Sequence, residues 1–140
     1  MSIKSVNAYL FFDGTCEKAI KLYESALGAK AEGVMRYSEI PGNTPAPENK
    51  DRIIHALLHL GGGSVMVGDS MPGTVHSTTT NVHVCLGYDD PAEMARAFDA
   101  LSVGGKVEMA IHDAFWGAKF GTLRDAFGIE WMFTCDTKKG

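Results

Sequence analysis

Apolar residues recur in two different rhythms along this chain. Ala19, Leu22, Tyr23, Ala26 and Leu27 follow the three-to-four-residue spacing of a helix packed on one side. Thr15 stands before them as an N-cap, Glu17 puts a carboxylate in the first turn, and Gly28 supplies the stop, so a helix is predicted over 15–27. The rhythm returns at Met94, Ala97, Phe98 and Leu101, behind Asp90 as N-cap, Pro91 at the first helical position and Glu93 at the capping-box place. That helix is predicted over 91–103, ended by Gly104-Gly105. The other apolar runs have the length of strands. They cover 8–12, 31–37, 52–60 and 64–67 around the first helix, and 82–88, 106–111, 117–124 and 129–134 around the second. Gly61-Gly62-Gly63 and Asp125-Ala126-Phe127-Gly128 separate adjacent strands as turns. The segment 38–51, with Pro41, Gly42, Asn43, Pro45 and Pro47, is the one long loop, either a lid or a solvated excursion.

The order strand–helix–strand–strand–strand therefore occurs twice. Local sequence repeats with it. Gly28-Ala29-Lys30-Ala31-Glu32 matches Gly104-Gly105-Lys106-Val107-Glu108, and Asn7-Ala8-Tyr9-Leu10 echoes Asn81-Val82-His83-Val84. Val65-Met66-Val67-Gly68-Asp69 echoes Met132-Phe133-Thr134-Cys135-Asp136. A single helix covers only one face of its sheet, so two such halves are expected to curl around a shared interior. The expected fold class is α+β: two tandem βαβββ modules forming a curled, cleft-bearing mixed sheet with the helices outside. We expect one domain over 1–140, with module one at about 5–70, a linker at about 71–80 and module two at about 81–136.

Composition narrows the partners. With 140 residues, 45% of them hydrophobic, the chain is long enough for one substantial core. A net charge of −4 without a basic patch argues against nucleic acid. No run approaches the roughly 20 apolar residues of a membrane span. The first residues lack a signal-peptide pattern, and Cys16, Cys85 and Cys135 form no paired motif, so a cytoplasmic protein with reduced, core-type thiols is expected.

Tandem βαβββ modules resemble the vicinal oxygen chelate superfamily, which includes glyoxalase I, extradiol dioxygenases and the fosfomycin- and bleomycin-resistance proteins. Within it the chain resembles the PhnB family of glyoxalase-like proteins. The resemblance rests on Tyr9-Leu10-Phe11-Phe12, Gly14, Cys16 and Ala19 to Ala29, then Ile54-His55-Ala56, Gly61-Gly62 and Met66 to Asp69. It continues in Gly105 to Ala110, Phe115-Trp116-Gly117, Phe120-Gly121 and Asp125 to Met132. It implies the fold, a ligand cleft between the half-sheets and a homodimer. It implies no single reaction, because the superfamily spans isomerases, dioxygenases, transferases and binders without catalysis.

Metal-dependent members place ligands on the first and last strands of each module. Those places fall here near Ala8, on His83, near Val67 and on Met132, with Asp69 and Glu130 two residues from the latter pair. No cofactor is therefore expected; the alternative is a divalent metal at His83 with Asp69 or Glu130. Glu108 and His83 are the candidates for proton transfer, since a carboxyl in an aromatic cleft acts as acid or base near neutrality. His55, Asp69, His83, Trp116 and Phe120 are the expected substrate-binding residues, and Trp131 and Phe133 the core of the last strand. Nucleotide-binding glycine loops and nucleophile elbows are absent. The expected function is small-molecule binding in the cleft. The alternative is a metal-dependent lyase, isomerase or dioxygenase.

Overall fold

The structure, a computed structural model, describes residues 2–42, 45–77 and 79–137. The chain divides into two compact units, 1–76 and 77–140, with the boundary inside the expected linker. The first unit runs β1 (Tyr9–Phe12), α1 (Cys16–Leu27), β2 (Lys30–Arg36), β3 (Ile53–Leu60) and β4 (Gly63–Asp69). The second runs β5 (Val84–Tyr88), α2 (Pro91–Leu101), β6 (Lys106–Ala114), β7 (Ala118–Arg124) and β8 (Glu130–Asp136). The sheets are ordered β1-β4-β3-β2 and β5-β8-β7-β6, so the two units have the same topology. In each, the first strand lies parallel to the last and the other pairings are antiparallel. The duplicated α+β plan is thus realised as two four-stranded mixed sheets, each with one helix.

Each helix packs one face of its own sheet. Cys16, Ala19, Ile20 and Tyr23 of α1 are buried, with Leu10, Phe12, Ile53, Ala56, Leu58, Val65 and Val67 from the strands. In the second unit Met94, Ala97, Phe98 and Leu101 of α2 are buried with Leu123, Trp131, Phe133 and Cys135. The Phe98 ring meets Phe133 edge-on at 5.2 Å, which fixes the odd positions of β8 as the helix side. Trp131 and Phe133 are core, as expected.

Three details depart from the sequence reading. Asp90 caps α2 through Ala92 N–H at 2.9 Å, but Thr15 makes no side-chain cap on α1. A remote carboxylate does that work: Asp69 Oδ1 accepts from Cys16 N–H (3.0 Å) and Oδ2 from Ile53 N–H (2.9 Å). The echo between 65–69 and 132–136 is out of phase by one residue. The buried face is Val65, Val67 and Asp69 in β4 but Trp131, Phe133 and Cys135 in β8, and a one-residue slip exchanges the faces of a strand. Finally, the loop 38–51 contains 3-10 turns at Tyr37–Glu39 and Pro47–Asn49, while Asn43 and Thr44 lie outside the described residues.

The Asp125 to Met132 stretch has a structural explanation. Asp125 Oδ1 accepts from Phe127 N–H (2.8 Å) and Ile129 N–H (3.0 Å), closing the turn, and Oδ2 accepts from the buried Trp131 indole (2.9 Å). Asp125→Ala is expected to cost on the order of 3 kcal/mol, because it strands a buried indole N–H and opens the turn. Urea denaturation of wild type and variant measures this; a loss under about 1 kcal/mol would contradict the assignment.

Candidate functional site: a His–Glu–Glu cluster on the open sheet face

With one helix per sheet, alternate strand residues point away from the helix. On the second sheet this open face begins at β8, where Glu130 and Met132 alternate with the core residues Trp131 and Phe133. Glu130 pairs with Arg124 across the β7–β8 hairpin, and Arg124 Nε donates to Glu130 Oε1 at 3.1 Å. His83 lies immediately before β5, whose Val84 pairs with Trp131. That register brings His83 Nε2 to 3.6 Å from Glu130 Oε2. Glu108, on the bulged part of β6, completes the group. One donor atom from each of His83, Glu108 and Glu130 falls within 4.8 Å of the others.

The electrostatics of this group are unbalanced. The Glu130 side chain is 6% exposed, and its Oε2 is buried without a hydrogen-bond donor among the described residues. Burial raises the Glu130 pKa above the ordinary carboxyl range, and the facing Glu108 carboxyl raises it further; Arg124 and His83 act in the opposite direction. Two facing carboxyls bind one another only through a shared proton, so deprotonated Glu130 leaves Oε2 without a partner. An acid raised on folding stabilises the fold fully where it is protonated, below its unfolded pKa. That contribution is lost as pH rises through the raised value.

A divalent ion is the other way to relieve this imbalance. Ligand atoms around one zinc stand about 2.0–2.2 Å from it, hence no more than about 4.4 Å apart. The donor atoms of the cluster all lie within 4.8 Å of one another, and His83 Nε2 and Glu130 Oε2, 3.6 Å apart, are inside that limit. Arg124 occupies only Oε1, which leaves Oε2 to ligate, and one imidazole with two carboxylates suits zinc, manganese or iron. The residues present therefore fit such an ion.

The other expected site residues fall in different places. Trp116, in the β6–β7 turn, is half exposed and packs edge-on against Phe120 at 5.4 Å. Phe120 in turn meets the ring of His112, its partner across β6–β7, at 6.0 Å. His55 is on β3 of the first unit, against Tyr9. Asp69 is 4% exposed, and backbone N–H groups occupy both its oxygens, so it pins α1 to β3. Glu108, expected to be the buried carboxyl, is exposed; Glu130 is the buried one. One participant was not anticipated: Arg124, which the Asp125–Gly128 turn sets opposite Glu130.

The sequence profile of the glyoxalase/bleomycin resistance protein/dioxygenase superfamily matches residues 5–133. The chain belongs to this superfamily. It is 32% identical to protein YjdN of Escherichia coli over 136 residues, covering 91% of this chain and 92% of the relative. Protein PA1353 of Pseudomonas aeruginosa superposes with a TM-score of 0.85 at 34% identity, covering 97% of this chain and all of that one. The PhnB protein of Bacillus cereus, described as a putative 3-demethylubiquinone-9 3-methyltransferase, shares the fold. Its TM-score is 0.78 at 24% identity, over 94% of this chain and 99% of that one. Membership of the superfamily establishes the two-module plan and leaves the reaction open. No helix among the described residues is long and apolar enough to cross a membrane.

Thiol chemistry separates the two faces of the sheets. Cys16 and Cys135 are buried on the helix sides, and burial with the adjacent Asp69 pushes the Cys16 thiol up to about 12. Cys85, opposite Met132, is exposed rather than core, and partial burial raises its thiol as well. One thiol per chain is expected to react slowly with Ellman's reagent in the native protein, and none in Cys85→Ser. Rapid titration of two or more would contradict this placement.

Proposed function

We propose that the chain binds a small oxygen-bearing molecule on the open face of its second sheet. His83, Glu108 and Glu130 form the polar centre, and Trp116 with Phe120 an aromatic wall. The observation that supports this most is the buried Glu130 Oε2, which lacks a donor where two further polar groups converge. A ligand hydroxyl or amide N–H supplies that donor. In this reading Glu130 Oε2 accepts from the ligand, Arg124 fixes the carboxyl through Oε1, and the exposed Glu108 exchanges protons with ligand or water. Three free cysteines accord with a reducing, cytoplasmic setting, and the superfamily resemblance accords with a homodimer.

A second reading is supported by the same Oε2: His83, Glu108 and Glu130 hold a divalent cation. Such an ion would supply Lewis acidity to a carbonyl or hydroxyl oxygen, as in a lyase, isomerase or dioxygenase. Arg124 would then keep Glu130 aimed at the ion, and Trp116 and Phe120 would limit water on one side.

Thermal melts across a panel of small hydroxylated and carbonyl metabolites, with and without chelator, test both. A stabilising ligand is expected to raise Tm by about 5 °C in the presence of chelator. Glu130→Gln and His83→Ala are expected to lose that rise. A rise that requires added zinc or manganese establishes the second reading. Equal rises in wild type and both variants would overturn the site.

A further inference from the structure

Strand register matches four positions of one unit to four of the other. His59 faces Ser64 across β3–β4 as Arg124 faces Glu130 across β7–β8. Lys30 and Lys106 stand opposite His59 and Arg124 on the edge strands, which makes Glu32 the counterpart of Glu108. Leu10 faces Val67 as Leu86 faces Phe133, so Asn7, three residues before Leu10, answers His83.

The two groups are completed differently. In the first unit Asn7 Nδ2 donates to Ser64 Oγ (2.9 Å) and to the Ser64 carbonyl (3.2 Å). His59 Nε2 stands 2.8 Å from Glu32 Oε2. In the second unit the same places hold two carboxylates against one guanidinium. One of those carboxylates is buried, and its Oε2 lacks a donor among the described residues. The topology does not require that extra charge, because its counterpart in the first unit closes with a serine and an asparagine.

The acceptors define what would complete the second group. Arg124 serves Glu130 Oε1. Glu130 Oε2, the Glu108 carboxylate and a neutral His83 all accept, and one atom from each residue lies within 4.8 Å of the others. His83 Nε2 and Glu130 Oε2, 3.6 Å apart, are too distant to bond directly and close enough to share one donor centre. A primary ammonium carries three N–H donors, no acceptor, and charge-assisted bonds of about 2.7–2.9 Å. Three acceptors around its tetrahedral nitrogen stand up to about 4.7 Å apart, a spacing the cluster can supply. A hydroxyl brings one donor and a quaternary ammonium none. With both carboxylates ionised and His83 neutral, Glu108, Glu130 and Arg124 sum to one negative charge, which one ammonium cancels.

Building on the site assigned to the second sheet, we propose that the group this cluster receives is the primary ammonium of a small amine. Its three N–H bonds go to Glu130 Oε2, the Glu108 carboxylate and His83 Nε2. His83 then carries its ring proton on Nδ1, and Arg124 acts as a positioning residue through Oε1. The first unit, with Ser64 in the place of Glu130, takes none, so one amine binds per chain.

NMR titration of chelator-treated protein with ethanolamine, ethylene glycol and choline tests this. Ethanolamine has the charge and the N–H donors, ethylene glycol keeps the oxygens without the charge, and choline keeps the charge without the N–H donors. Ethanolamine is expected to shift the His83, Glu108 and Glu130 side-chain signals, and to bind about ten-fold more tightly than either other probe. Glu130→Gln and Glu108→Gln are expected to lose that preference, and Glu32→Gln to keep it. Ethylene glycol binding as well as ethanolamine at these residues would overturn the ammonium assignment and leave the oxygen-ligand site standing. Choline binding as well as ethanolamine would reduce the effect to charge attraction and overturn it too. No shift at these residues with any probe would overturn both the assignment and the site. The wild-type titrations suffice if a variant does not fold.

Discussion

A single helix covers a single face of each four-stranded sheet, and the rest of the molecule depends on that constraint. The covered faces collect the large apolar side chains: Phe12 and Tyr23 in one unit, Phe98, Trp131 and Phe133 in the other. The polar clusters lie on the opposite faces. There the strands carry Tyr9, Phe11 and His55 in the first unit, and His83, Glu108 and Glu130 in the second. Because strand side chains alternate, core and candidate site are written in the same few residues: Trp131 and Phe133 build the core while Glu130, the first residue of β8, belongs to the candidate site.

Among the described residues three carboxylates are buried, and their partners tell them apart. Asp69 and Asp125 each have both oxygens occupied by N–H donors, and each pins a junction: helix start to strand start, and hairpin turn to indole. These two belong to the fold, since a fully satisfied buried carboxylate organises the chain around it and offers nothing to a ligand. Glu130 has one oxygen on Arg124 and the other without a donor, facing Glu108 and His83. A buried acid left in that state requires a proton, a cation or a ligand, and this separates the candidate site residue from the two structural ones.

Much of the fold was legible because helix caps, glycine stops and apolar periodicity are local signals. The Gly28 and Gly104 matches both mark left-handed backbone, with φ of 68° and 76°, where glycine is favoured. What escaped was long-range or depended on phase. The α1 cap comes from Asp69, 53 residues from Cys16, and no local pattern announces it. The strand-end echo looked sound as letters but was one residue out of phase, and only burial shows which face a strand position occupies. The site was half legible. His83, Glu108 and Glu130 were each singled out, but for different roles, and the pairing of β5, β8, β7 and β6 is what unites them. Asp69 was drawn into the site by its neighbourhood in sequence, although its oxygens serve the backbone.

The account stands on the unsatisfied Glu130 carboxyl, and carbon-detected NMR titration of the glutamate side chains measures it directly. In the ligand- and metal-free protein, Glu130 is expected to hold its proton to higher pH than the other glutamates, and to move downward when Glu108→Gln removes the facing charge. A Glu130 that titrates with the surface glutamates, unchanged by that substitution, would contradict the claim that this open face holds the functional centre.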